Sequence, residues 1–268
     1  MTEPAIDALD AVWTSTIALG HALSEREWAL PTDLPGWTVK DNLAHIMGTE
    51  RMMRGEPSPA VTPAETGHLR NPIGEANEVW VESYRPLSGG EVLAAFEVLA
   101  ADRLAEFRAL TPEQLAEVGP TPVGMAPFRD FIAVRVMDSW AHEQDMRRAV
   151  GRPGHLEGPA VDLSLGRITK TMPLVVGKRA AAPDGSCVVF EVVGPAGATI
   201  PVVVSGRAAI ADTVPPNPSV TLTMDVETYA AVAFGRWDPT TALTEGRITI
   251  AGDEDLGRSV VNAMNFMI

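Results

Sequence analysis

Asp138 and His142 stand four residues apart in the stretch MDSWAHEQDM, and Asp145 follows three residues later. Helical positions four apart project from one face. An imidazole and a carboxylate placed that way form a ligand pair for a divalent transition metal. Two ligands do not hold a catalytic ion, so a third is expected from another helix. His45, flanked by Leu43, Ile46 and Met47, is the candidate, because its neighbours turn it inward. Three protein ligands in a helical bundle leave a fourth position for water or a substrate atom. Asp145 either accepts the second ring N–H of His142 and fixes its tautomer, or pairs on the helix surface with Arg148 or Arg147. Each of these residues has an ordinary explanation when taken singly. A lone core histidine is usually just hydrogen-bonded, and D-x-x-x-H is common on charged helix faces. The combination carries the metal reading.

Other chemistry finds little footing. His21 lies near the end of a helix, and His68 and His155 lie in loops, where they are expected to be solvated. The single cysteine, Cys187, sits in the apolar run GSCVVFEVV and reads as a buried structural thiol. The chain has no G-x-G-x-x-G after a strand, no phosphate-binding G-x-x-x-x-G-K-S/T and no G-x-S-x-G. Ser139 adjoins Asp138, but a helix points neighbours apart, so a Ser-His-Asp triad is not expected there.

The elements that must position these residues are legible as helices. Ile6, Leu9, Val12 or Trp13, Ile17 and Leu23 recur at helical spacing. PTDLPGW then makes a turn, and Thr38 with Asp41 three residues later gives a helix-start signal for the helix bearing His45. Gly55 and Pro57 end that helix. Residues 56–74 read as a long loop, with a short helix around 76–84. SGGEVLAAFEVLAADRLAEFRAL is a long helix, GPTPVGMAP a loop, and Phe128 to Val150 the helix bearing Asp138 and His142, stopped by GRPG. Four long helices joined in this way describe a bundle over residues 1–155. From 156 to 268 the pattern changes to an α+β domain. A helix at about 160–176 precedes strand-like runs CVVFEVV, TIPVVVSG, SVTLTM and RITIAG, with helices in DVETYAAVAFG and DEDLGRSVVNAMNF.

The chain has 268 residues and a net charge of −14. Residues 1–150 carry 12 basic against 23 acidic side chains and the remainder 9 against 12, so neither half suits nucleic acid as a partner. No run of 18 apolar residues predicts a membrane span. The acidic first ten residues lack the apolar core of a targeting segment, so a cytoplasmic protein is expected. The expected partner is a small molecule, and the chain itself is expected to be a monomer or small homo-oligomer.

LPGWTVKDNLAHI resembles the PGW-T-x-x-D-x-x-AH signature of the mycothiol-dependent maleylpyruvate isomerase family. RVMDSWAHEQDMRRAVG is similar to that family's second signature, an Arg followed by E-x-x-x-H-x-x-D and basic residues before a Gly. VETYAAVAFGRWDP and EGRITIAGDEDLGRSVVNAMNF resemble its sterol-carrier-protein-like C-terminal domain. The resemblance spans nearly the whole chain. It implies an actinobacterial enzyme with a DinB-like metal-binding bundle, a divalent metal (usually zinc) and mycothiol as thiol cofactor. The family's ligands, His, Glu and His, fall on His45, Asp138 and His142. Aspartate reaches about 1.5 Å less than glutamate, one C–C bond, so either the helices approach more closely or the metal is held differently. The implied chemistry is thiolate addition to an activated alkene, with rotation and departure giving cis–trans isomerisation, or S-transfer if the thiol stays. A substrate anion would need cations. Arg85 near the bundle mouth and Arg236 and Arg247 in the second domain are the candidates, each otherwise a surface or inter-domain salt bridge. Two alternatives keep the same fold: a hydrolase using metal-bound water without thiol, and a non-catalytic ligand-binding member in which Asp138 marks a degenerate metal site.

Overall fold

The computed structural model of the chain describes residues 3–121 and 124–266. They form two compact units, 1–155 and 156–268. In the first, α1 (Pro4–His21), α3 (Val39–Met53), α5 (Gly89–Arg108) and α7 (Phe128–Ala149) make a four-helix bundle, with α1 and α3 each packed on both α5 and α7. Short helices α2 (Glu25–Trp28) and α6 (Pro112–Ala116) lie between them, and α4 (Pro72–Tyr84) packs on α3.

The helix starts follow local chemistry. Thr38 and Asp41 cap α3 reciprocally: the Asp41 carboxylate accepts from Thr38 N at 2.8 Å and Thr38 Oγ1 accepts from Asp41 N at 3.3 Å. The pair satisfies N–H groups that a first turn otherwise leaves open. Gly55, at φ +77°, lies just past the end of α3, where the left-handed conformation suits a glycine. Helix α4 starts four residues before the expected 76 because Asn71 accepts from Gly74 N at 2.9 Å and Pro72 suits the first helical position.

Trp13 and Phe96 meet edge to face at 5.9 Å in the bundle core, with Leu9, Leu43, Ile46, Met47, Ile132 and Met146 fully buried around them. Full burial of each such side chain stabilises the fold by about 1.5–3 kcal/mol. Helices α3 and α4 approach closely at Gly48, where an added Cβ would lie 2.4 Å from Trp80 Cβ.

GPTPVGMAP, expected as a loop, instead pairs β1 (Val118–Thr121) antiparallel with β2 (Gly124–Pro127). Its Gly and Pro content hides the pairing, since both are poor strand residues and are tolerated only at edges.

The second unit holds a five-stranded sheet in the order β5-β4-β3-β6-β7. Its strands are β3 (Cys187–Val193), β4 (Ala198–Ser205), β5 (Arg207–Ile210), β6 (Val220–Asp225) and β7 (Thr249–Gly252). The β3–β6 pair is parallel and the others antiparallel. Helices α8 (Pro159–Leu174), α9 (Val226–Ala233) and α11 (Glu254–Ala263) pack on the sheet, and the short α10 (Pro239–Thr244) lies beside α9 and α11. Strand β5 has no alternating pattern of its own. The one-residue turn at Gly206, φ +68°, folds it back on β4. Among the described residues no helix is long and apolar enough to cross a membrane.

Candidate metal centre

Helix α7 presents Asp138 and His142 on one face, and α3 presents His45 opposite them. One ligand atom from each lies within 4.8 Å of the other two. His45 Nε2 is 3.3 Å from Asp138 Oδ2, and His142 Nε2 is 3.6 Å from Asp138 Oδ1. Tetrahedral ligands about 2.0–2.1 Å from a zinc ion lie about 3.4 Å apart. The His45 and His142 distances run to different oxygens of Asp138, and one ligand atom from each residue lies within 4.8 Å of the other two, a grouping that a small divalent ion could draw together; the shorter aspartate side chain reaches the histidines of both helices.

The surroundings hold His142 in one orientation. Its Nδ1 lies 2.8 Å from Asn42 Oδ1 and 3.4 Å from Asp145 Oδ2, which leaves Nε2 facing Asp138. Asp145 itself is fully buried, and its other oxygen accepts from Arg148, so that pair lies inside the bundle rather than on the helix surface. Asn42 has no counterpart in the sequence reading. Its only signal there was its place three residues before His45, on the same inward face.

A chain of buried charge runs behind the cluster. Arg135 donates to Asp138 Oδ2 at 2.6 Å and to Glu50 Oε1 at 3.0 Å, and Arg103 donates to Glu50 Oε2 at 2.9 Å. Glu50 is fully buried, which the two guanidiniums make tolerable. Burial alone would raise the Asp138 carboxyl, but Arg135, with the two imidazoles, holds it well below the usual range. Burial pushes His45 down to about 4 against the pull of Asp138. His142 is also buried, yet its hydrogen bonds to Asp138 and Asp145 outweigh burial and raise it. Near neutral pH the cluster thus contains an ionised carboxylate and a neutral His45. Both are the forms that bind a metal.

The indole of Trp37, from the PTDLPGW turn, lies over both imidazoles, with ring centroids 5.1 Å from His45 and 5.8 Å from His142. The histidine side chains are 6% exposed and Asp138 is 18% exposed, so access to the cluster is greatest at the carboxylate.

Arg85 is engaged by three carboxylates: Glu78 at 2.6 Å, Asp41 at 3.6 Å, and Glu82. Arg236 and Arg247 belong to the second unit. Arg236 donates to the Phe234 carbonyl at 3.0 Å, and Arg247 pairs with Glu245 at 2.7 Å and stacks over Trp237. His21 is exposed as expected. His68 and His155 are not solvated: each is mostly buried and lies against a fully buried glutamate, Glu78 at 3.2 Å and Glu143 at 2.6 Å. Those acids lie on helices, and loop position alone did not reveal them. Ser139 accepts from Trp13 Nε1 at 3.1 Å and serves the core. Cys187 is buried, which pushes its thiol up and away from reactivity.

Comparison with known proteins bears on the fold and the family. The family model for the mycothiol maleylpyruvate isomerase N-terminal domain matches residues 9–147, and that of the SCP-2 sterol transfer family matches residues 170–265. An uncharacterized protein of Mycobacterium tuberculosis strain H37Rv is 29% identical over 199 residues, covering 72% of this chain and 71% of the relative. The crystal structure of the mycothiol-dependent maleylpyruvate isomerase superposes with a TM-score of 0.56 at 16% identity, over 92% of this chain and 91% of that one. A single-site mutant of that enzyme gives the same score at 15% identity. At these identities the solved structures speak for the fold. The match to more than half of the chain, from Leu9 through Arg147 and including His45, Asp138 and His142, speaks for descent: the chain belongs to the mycothiol maleylpyruvate isomerase family.

Proposed function

We propose that the protein is a metal- and mycothiol-dependent isomerase or S-transferase acting on a small, anionic, electrophilic substrate of the maleylpyruvate type. The observation that carries the proposal is the convergence of two imidazole Nε2 atoms, from α3 and α7, on the Asp138 carboxylate. His45, Asp138 and His142 would hold one divalent ion, and two nitrogens with one oxygen suit zinc. A divalent ion at this position supplies a Lewis-acid centre that favours the thiolate form of a thiol. The reaction class is reversible thiol addition across an activated double bond, with rotation before the thiol leaves, or S-transfer when it is retained.

The protein's own groups act around that centre. Asn42 and Asp145 hold the His142 tautomer with Nε2 inward. Arg135 binds one oxygen of Asp138 and leaves Oδ1 toward His142. Buried imidazoles and the Trp37 indole keep bulk water from the histidine side. Arg85 stays outside the proposal because carboxylates already occupy its charge, and Arg236 and Arg247 stay outside it because both have partners within the second unit.

The Arg135–Asp138 contact also favours a second reading. A carboxylate already neutralised at 2.6 Å is the arrangement of a non-catalytic member that has exchanged its metal for a charge network. Turnover of maleylpyruvate by zinc-loaded protein, with and without mycothiol, separates the readings. Thiol-dependent isomerisation or conjugation supports the proposal. Hydrolysis without thiol points to the metal-dependent hydrolase, and inactivity with no bound metal points to the charge network.

A further inference from the structure

The two candidate histidine ligands are not held alike. His142 has the outer hydrogen bond that orients a metal-binding imidazole, from Nδ1 to Asn42 at 2.8 Å. His45 has none: its Nδ1 is buried and finds no hydrogen-bond partner among the described residues. Rotation about the last side-chain torsion of histidine is broad, so something else must set that ring plane. Besides the Nε2 contact to Asp138 at 3.3 Å, the ring packs against two aromatic rings. Trp37 lies 5.1 Å from His45 at 37°, and His142 lies 4.5 Å away at 61°.

Trp37 is itself fixed at both ends. Its Nε1 donates to the fully buried Glu78 at 2.8 Å, and Glu78 also receives Arg85 at 2.6 Å. Its carbonyl accepts from Thr32 N and Thr32 Oγ1, both at 3.0 Å. Gly36, at φ +82°, brings the chain so close to His68 that an added Cβ would lie 2.8 Å from that ring. The turn is also tied to the second ligand, because Asn42 Nδ2 donates to Thr32 Oγ1 at 3.2 Å.

We infer that Trp37 is a positioning residue for the metal centre, its indole face doing for His45 what a hydrogen bond does for His142: holding the ring plane so that Nε2 points at Asp138. This rests on the metal reading above. An aliphatic side chain at 37 would occupy part of the space but lack a flat face, whereas phenylalanine would keep a flat, smaller face and lose the tie to Glu78.

The test is Co2+ titration of metal-stripped wild type, Trp37→Leu and Trp37→Phe, following affinity and the visible absorption of the bound ion. The inference predicts a Kd raised about tenfold or more in Trp37→Leu, the range seen when an outer partner of a ligand is removed. It also predicts a changed absorption envelope in that variant and recovery of both in Trp37→Phe. Trp37→Met replaces the leucine variant if the latter does not fold. A purely structural role would lower the melting temperature and leave the spectrum alone. Wild-type affinity and spectrum in a folded Trp37→Leu or Trp37→Met protein overturns the inference and leaves the metal reading intact. Failure of wild type to bind Co2+ overturns both.

Discussion

Arg135 donates to Asp138 Oδ2 at 2.6 Å from one turn earlier on α7. The same guanidinium holds the fully buried Glu50 at 3.0 Å, so one cation serves the candidate metal ligand and a core carboxylate. Replacing it with methionine leaves Glu50 with only Arg103 and removes the hold on Asp138. Breaking a buried ion pair from one side costs about 3–5 kcal/mol. Arg135→Met is therefore expected to lower the unfolding free energy obtained from urea denaturation by an amount in that range. A shift below about 1 kcal/mol, the level of a surface pair, would show that the buried chain of charge is not structural.

Asn42→Ala tests the orientation of His142. The fold should lose about 3 kcal/mol, because the buried Asn42 side chain bonds to His142, Thr32 and Thr38 at about 1 kcal/mol each. Metal affinity should fall about 10–100-fold, because the 2.8 Å partner of Nδ1 is gone and the more distant Asp145 must serve alone. Isothermal titration of the stripped proteins with Zn2+ measures the difference. Equal affinities would assign the orientation to Asp145.

His45 gives the metal-free protein a defined pH dependence. Burial pushes its pKa down to about 4 from an ordinary 6.5. Between these values the unfolded chain binds a proton that the folded chain refuses. The stability this group contributes is therefore complete above pH 6.5 and drains as pH falls toward 4. His45→Gln cannot take up that proton and should lose about 3 kcal/mol less than wild type across the window. His142 has the opposite sign. Burial pushes it down, but its bonds to Asp138 and Asp145 raise it overall, so its contribution is full at low pH and fades as pH rises through the raised value. Urea unfolding of both stripped proteins between neutral and acid pH checks the difference, and parallel losses would contradict it.

Gly48→Ala probes the packing that carries Glu78 toward Trp37. The new methyl would meet Trp80 Cβ at 2.4 Å, and neither helix backbone can yield without moving α4. Overpacking of this kind costs about 1–3 kcal/mol. Thermal unfolding should show the loss, and an unchanged melting temperature would mean that α4 shifts freely on α3.

The candidate ligands were legible in the sequence because helical periodicity is local: Asp138 and His142 share a face by spacing alone, and the apolar neighbours Leu43, Ile46 and Met47 turn His45 inward. The four long helices, strands β3, β4, β6 and β7 and the change of character near residue 155 follow the same rule. What periodicity lacks is the identity of a partner across the bundle. Asn42 beside His142, Glu50 between two arginines and Glu78 under Trp37 are polar residues on helix faces, and only packing distinguishes them from solvated ones. The β1–β2 hairpin and β5 escaped because their Gly, Pro and Ala residues have little strand preference, and pairing with a neighbour creates them.

The central claim is that His45, Asp138 and His142 together hold a divalent ion. Metal analysis of the purified protein beside His45→Ala and His142→Ala tests it most directly. The account predicts about one zinc or comparable divalent ion per chain in wild type and its loss from both folded variants. Variants that retain as much metal as wild type would contradict the assignment, as would a wild-type protein that takes up none when zinc is supplied.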